Sequence, residues 1–209
     1  KKVSFNTKIV SKYTSRKEGE NYSFQITLQS SQDSYSDEYG SEDNNRKNTV
    51  VTFNLPDELE YESIQLTKLN EDTAQYDDIT STTNVKVKGK KVTVNIGEVD
   101  GERGKILTVN AKVGKLSDGV YKKDVTVTSN VKAEGTETEN IKDISVTLNK
   151  PGISIAQTAN IPEGTTISAG EDFVYTFTAQ NLSDIYLNDV EFTDAIPKEV
   201  QFKYIEIIT

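Results

Sequence analysis

Apolar side chains recur at every second position through most of the chain, and this period constrains the fold more than any other feature. Val3, Phe5, Thr7 and Ile9 share one parity, with Ser4, Asn6 and Lys8 on the other. Tyr22, Phe24, Ile26 and Leu28 repeat the pattern around Ser23, Gln25 and Thr27, and Val51, Phe53 and Leu55 repeat it again. Val85 and Val87, the turn Lys88-Gly89-Lys90, and then Val92, Val94 and Ile96 predict a hairpin. Further strands are predicted at Leu107, Val109, Ala111 and Val113; at Val125, Val127, Ser129 and Val131; and at Ile144, Val146 and Leu148. Turns such as Val99-Asp100-Gly101 and Ser117-Asp118-Gly119 separate them. An apolar stripe of period two buries one face only, so these half-buried strands must cover one another as two antiparallel sheets, an all-β immunoglobulin-like sandwich. No stretch sustains a helical period, and Asn70 to Asp78 reads as a loop in preference to a short helical turn.

Composition narrows the functional classes. The 209 residues contain no Cys, His, Met or Trp. Without cysteine the core must hold the fold unaided. Without His or Cys the commonest general base and the best nucleophile are missing, so an enzyme is not expected, nor any cofactor. A formal charge of −9 argues against nucleic acid and anionic membrane as partners, because both select a basic footprint. No apolar run is long enough to span a bilayer. Lys1-Lys2-Val3-Ser4 does not lead into a signal-peptide core, and the sequence reads as an interior excerpt of something longer.

Lys150-Pro151-Gly152 reads as a linker, since Pro and Gly both interrupt a ladder. After it the pattern restarts. Gly19-Glu20-Asn21-Tyr22-Ser23-Phe24-Gln25-Ile26-Thr27 is echoed by Gly170-Glu171-Asp172-Phe173-Val174-Tyr175-Thr176-Phe177-Thr178. Leu55-Pro56-Asp57-Glu58-Leu59-Glu60-Tyr61 is echoed by Ile196-Pro197-Lys198-Glu199-Val200-Gln201-Phe202. Both echoes preserve the apolar positions, the mark of a structural repeat. The first copy is longer between its echoes, through Gln32 to Lys47, and nothing in the second matches Val85 to Leu148. The expected organisation is a complete module over 1–149, a linker at 150–152, and the N-terminal part of a second, homologous module over 153–209.

The second copy, from Gly170-Glu171-Asp172-Phe173 through Asn181-Leu182-Ser183 to Phe192-Thr193-Asp194-Ala195-Ile196-Pro197, resembles a bacterial repeat family known as domain of unknown function eleven. That family's motif is a Gly-acidic turn, a Tyr-x-hydrophobic strand ending in Asn, and an Asp-x-hydrophobic-Pro strand end. The first copy resembles it too, through Asn95-Ile96-Gly97-Glu98-Val99, Gly104 and the strand from Leu107 to Val113. It departs at Ser30, where the second copy has Asn181, and at Phe53, where the second has Asp194. The resemblance implies immunoglobulin-like sandwiches strung in tandem on cell-wall-linked adhesins and surface-layer proteins of Gram-positive bacteria, with a spacing or adhesive role outside the cell.

Three groups of residues invite chemistry. The acidic stretch Asp33, Asp37, Glu38, Glu42, Asp43, Asn44 and Asn45 offers clustered oxygen ligands, of which Asp33, Asp37, Glu42 and Asp43 are the calcium candidates. The spacing misplaces the Gly and terminal Glu of an EF-hand, so a solvated loop is the favoured reading and no metal is expected. An intramolecular Lys–Asn cross-link, which some adhesin domains resembling this one form, needs a buried Lys, Asn and carboxyl together. Parity puts Lys8, Asn130 and Asn149 on outward faces, against such a bond. Tyr35, Tyr39, Tyr61 and Tyr76 beside the long loops could contact protein or glycan, although packing explains tyrosines as well.

The leading expectation is a non-catalytic spacer module of a bacterial cell-surface protein. The runner-up is an adhesin domain that binds host extracellular matrix protein or glycan through Gln32 to Lys47 and Asn70 to Thr82. A third is an accessory domain of a secreted enzyme. Neighbouring repeats of the same chain are the remaining expected partners.

Overall fold

In a computed structural model of the chain, which describes residues 5–30, 45–101 and 103–209, the alternating segments form the strands their period predicts. One sheet holds β1 (Phe5–Val10), β3 (Asn21–Ser30), β5 (Leu59–Asn70), β6 (Gln75–Asp78) and β9 (Lys105–Val113), in the order β1-β3-β9-β5-β6. The facing sheet holds β2 (Ser15–Lys17), β4 (Arg46–Asn54), β7 (Asn84–Lys88), β8 (Lys91–Val99), β10 (Lys122–Lys132) and β11 (Glu139–Asn149), in the order β2-β11-β10-β4-β8-β7. All pairings among these strands are antiparallel except that of β2 with β11. Most connections, such as those after β3, β4, β8 and β9, carry the chain from one sheet to the other across the core. The fold is an immunoglobulin-like antiparallel sandwich.

The core is the sum of the inward parities. Tyr22, Phe24, Ile26 and Leu28 of β3 and Leu107, Val109, Ala111 and Val113 of β9 meet Val51, Phe53, Val92, Val94, Ile96, Val125, Val127, Val131, Val146 and Leu148 of the other sheet. At roughly 1.5–3 kcal/mol per buried aliphatic or aromatic side chain, this contiguous cluster is the main stabilising term. Gly104 sits just before β9 with its Cα against the Leu28 carbonyl, where a Cβ would collide with backbone. A glycine is therefore required for β9 to begin beside β3.

Two segments depart from the predicted layout. Asn70 to Asp78 is no loop: β5 runs on to Asn70, turns over Glu71–Ala74 and returns as β6, followed by a 3₁₀ turn at Thr80–Thr82. Side chains organise it. Asn70 Oδ1 accepts from the Asp72 amide at 3.0 Å, and Asp78 Oδ1 accepts from the Thr80 amide at 2.9 Å. The last strand also starts earlier than Ile144, at Glu139, because a bulge shifts the β10–β11 register between Val127 and Ser129. The extra residue lets Ile141 and Ile144 both turn inward although they differ in parity.

Beyond Asn149, β12 (Ile153–Ala159) pairs antiparallel with β13 (Tyr175–Asn181) as a two-stranded sheet. Phe173, Tyr175, Phe177 and Phe192 stack in succession, with centroids 5.0, 6.4 and 4.5 Å apart. Tyr175 and Phe192 remain exposed.

Candidate functional site

The calcium candidates Asp33, Asp37, Glu42 and Asp43, with Glu38, Asn44, Tyr35 and Tyr39, lie outside the described residues. Asn45 is described, and its amide nitrogen donates to Glu98 Oε1 at 2.7 Å. Among the described residues no group of three or more acidic side chains is placed to hold a metal ion. Tyr61 packs half-buried with its centroid 6.4 Å from that of Phe53, while Tyr76 of β6 stands exposed.

The cross-link geometry is different from that implied by parity. Lys8 is exposed and Asn130 half-buried, but Asn149 is fully buried. Asn149 ends β11, where the parallel partner β2 and the following turn close over it; its Nδ2 donates to Ser15 Oγ at 3.1 Å. Alternation also misses Lys105, which is buried at the opposite end of the sandwich. Its Nζ donates to the Ile96 carbonyl at 2.7 Å. Burial, and then the neighbouring Lys68 charge, lower the pKa of its ammonium, against the pull of Asp100 and Glu98. Lys105 begins β9 beside Leu28, whereas Asn149 lies near Val113 at the far end, about 25 Å along the strand. Among the described residues the structure brings no buried Lys to a buried Asn. Arg46, the first residue of β4, is buried as well; its Nη1 reaches the Asn45 carbonyl at 3.4 Å. Arg46 and Lys105 are invisible to a period-two reading because strand-end polar residues carry no parity signal of their own.

A polar cluster forms where the chain leaves β11. Lys150 donates its backbone N–H to the Tyr121 carbonyl at 3.1 Å. Its Nζ donates to the carbonyls of Leu116 at 3.1 Å and Ser117 at 2.9 Å, and lies 5.6 Å from the centre of the Tyr121 ring. Gly152 rests directly on that ring, where a Cβ would overlap it. The Leu182 amide donates to the Gly152 carbonyl at 2.9 Å. Asp184 then reaches back to the sandwich: its amide donates to Asn149 Oδ1 at 2.9 Å, and its carboxylate meets Lys122 Nζ at 2.7 Å. The Asp184 carboxylate raises the pKa of the Lys122 ammonium. Segment 150–152, predicted as an interrupting linker, is held through the Lys150 amide and ammonium group and the Gly152 carbonyl.

The two sequence echoes coincide with the same local geometry. Glu20 donates its amide to the Lys17 carbonyl at 3.0 Å and accepts from the Lys17 amide at 2.6 Å; Glu171 does both with Ser168, at 3.2 and 3.1 Å. The glycine in each turn has a left-handed φ, +84° at Gly19 and +89° at Gly170. The strand that follows each turn pairs antiparallel with the strand that opens its segment, Ser30 opposite Phe5 and Asn181 opposite Ile153. The proline turns also match, with Leu59 N to Pro56 O at 3.1 Å and Val200 N to Pro197 O at 3.0 Å.

No protein-family profile matches the chain, so the resemblance to the bacterial repeat family rests on its motif residues alone. No curated protein matches it either. Solved structures similar to it include the N-terminal domain of the Streptococcus gordonii adhesin Sgo0707 (14% identity, 69% of this chain and 32% of that chain, TM-score 0.47). Others are the 35 kDa C-terminal fragment of the major pilin GBS80 of Streptococcus agalactiae (9%, 73% and 57%, TM-score 0.48) and the full-length major pilin SpaD of Corynebacterium diphtheriae (14%, 74% and 36%, TM-score 0.43). The chain thus spans between about a third and just over half the length of these structures. At this level the likeness concerns strand arrangement and carries no statement of activity or ligand.

Proposed function

We propose that the chain is a non-catalytic spacer from the extracellular, cell-wall-linked part of a bacterial surface protein, with residues 1–149 one module and 153–209 the first strands of a homologous second. The recurrence of the turn, hairpin and proline-turn geometry after the joint supports this reading more than any other observation. A repeat that restarts on a packed joint adds length along the chain, the property a spacer supplies. The motif resemblance to bacterial surface repeats supports the location.

The competing adhesin reading predicts binding through Gln32 to Lys47 and Asn70 to Thr82. Replacing each with a short turn separates the two. A spacer keeps its folding and shows no specific binding to immobilised host matrix proteins or glycans before or after the exchange. Saturable binding that disappears with either replacement would establish the adhesin instead. Antibodies raised against residues 1–149 should label intact cells of the source bacterium; labelling only after lysis would refute the surface location.

A further inference from the structure

We propose that the end of the first sandwich, formed by Leu116 to Lys122 and Asn149, is a docking surface for Gly152 and the Asp184 turn of the following segment, and that it holds the two at one fixed angle. This rests on the reading of 153–209 as a second folded unit. Two segments joined by three residues would by default move freely, because so small an interface resists rotation weakly. Several features oppose that freedom here. Pro151 fixes its own φ. Lys150 is tied by its backbone and by both carbonyl contacts of its ammonium group. Gly152 lies flat against the Tyr121 ring, at a distance that excludes any side chain. The Asn149 side chain is wholly buried, and the two ends of its amide are both engaged. Nδ2 holds Ser15 within the first sandwich, and Oδ1 receives the Asp184 amide from the second segment. Opening the joint exchanges that amide for water, so the bond adds the modest net stabilisation of one hydrogen bond to closure. The Lys122–Asp184 ion pair is half-exposed and contributes little beyond orientation.

The chain contains no cysteine, so spin labels can be placed without background. Labels at Lys86→Cys on β7 and Thr176→Cys on β13 report the distance between the segments by double electron–electron resonance. The intact chain should give one narrow distribution. Gly152→Ala, which forces Tyr121 aside, and Lys150→Ala should each widen it roughly twofold towards the free motion of weakly joined domains. Asp184→Ala should leave it nearly unchanged, because the backbone amide remains. Urea midpoints of the first sandwich, unchanged in these variants, exclude general unfolding as the cause. A broad distribution in the intact chain, or one that stays narrow in both Gly152→Ala and Lys150→Ala, would overturn the fixed joint. Hydrogen exchange separates the two ideas. If β12–β13 amides are protected while the distribution is broad, only the joint fails; if they exchange as free chain, the second folded unit fails and the joint with it.

Discussion

The rings of Phe24 and Phe53 meet edge to face with centroids 5.8 Å apart, one projecting from each sheet. This contact bridges the two sheets at the centre of the core, and both rings are fully buried. Phe24→Ala should therefore destabilise the sandwich by about 3–4 kcal/mol, from lost transfer energy and the cavity left behind. Lys112→Ala, on the outward face of β9, should cost under about 0.5 kcal/mol. Urea unfolding measures both, and equal losses would contradict the register.

Gly104→Ala should cost at least about 2 kcal/mol, because its Cβ meets the Leu28 backbone and no side-chain rotation relieves the overlap. Gly114→Ala, at a glycine whose φ is not left-handed and whose Cβ would meet Glu58 and Glu60 only at 3.4 Å, is the control for the loss of glycine's backbone freedom. Comparable midpoints for the two variants would show that the close approach at Gly104 is unimportant.

Glu58 gives the module an acid-sensitive contact. Its hydrogen bond from Lys123, with that residue's charge and Lys90 nearby, holds its carboxyl below the ordinary carboxylate range despite partial burial. A depressed folded pKa means that the unfolded state binds the proton more readily. The stabilisation is thus present above the ordinary carboxylate value and is lost as pH falls through the lowered one. Glu58→Gln should weaken the module at neutral pH, and the gap between the two proteins should close on acidification. A gap independent of pH would rule this out.

The intact protein should have the mass of its sequence. Lys105 and Asn149 are buried at opposite ends of the sandwich, and the Lys105 amine is occupied by a backbone carbonyl. A deficit of about 17 Da, with a cross-linked peptide in a digest, would show that an amine and an amide meet after all.

Residues 151–209 made alone should unfold at a lower temperature, and less cooperatively, than residues 1–149. Their one two-stranded sheet has β12 exposed on both faces, and the Phe173–Phe192 stack is covered by no facing sheet among the described residues. An isolated hairpin is marginal in water. Circular dichroism melts decide it: a monomeric fragment melting sharply near the temperature of 1–149 would be a complete small domain.

The sandwich was legible because burial on one face forces a period of two, as the unbroken inward series from Tyr22 to Leu28 shows. The places that escaped each break that rule for a stated reason. Ile141 lies on the far side of a bulge from Ile144, so extrapolating parity back from Ile144 starts the strand too late. In β6, Gln75-Tyr76-Asp77-Asp78 is exposed throughout and has no apolar alternation to reveal it. Asn149 and Lys105 are strand-end residues whose burial depends on what closes over them, and the joint is built from backbone and side-chain groups of residues far apart in sequence. Local pattern cannot register such contacts.

The parallel pairing of Ser15–Lys17 with Thr147–Asn149 has a mechanical consequence. Tension between the ends of the first module draws β2 back towards residue 5 and β11 forward towards residue 150, in opposite directions along a common axis. The bonds joining them, including Thr147 N to Thr14 O and Glu18 N to Asn149 O, are then loaded side by side in shear instead of being opened one after another. Once β1 has left β3, further extension requires this short ladder to slide as a whole.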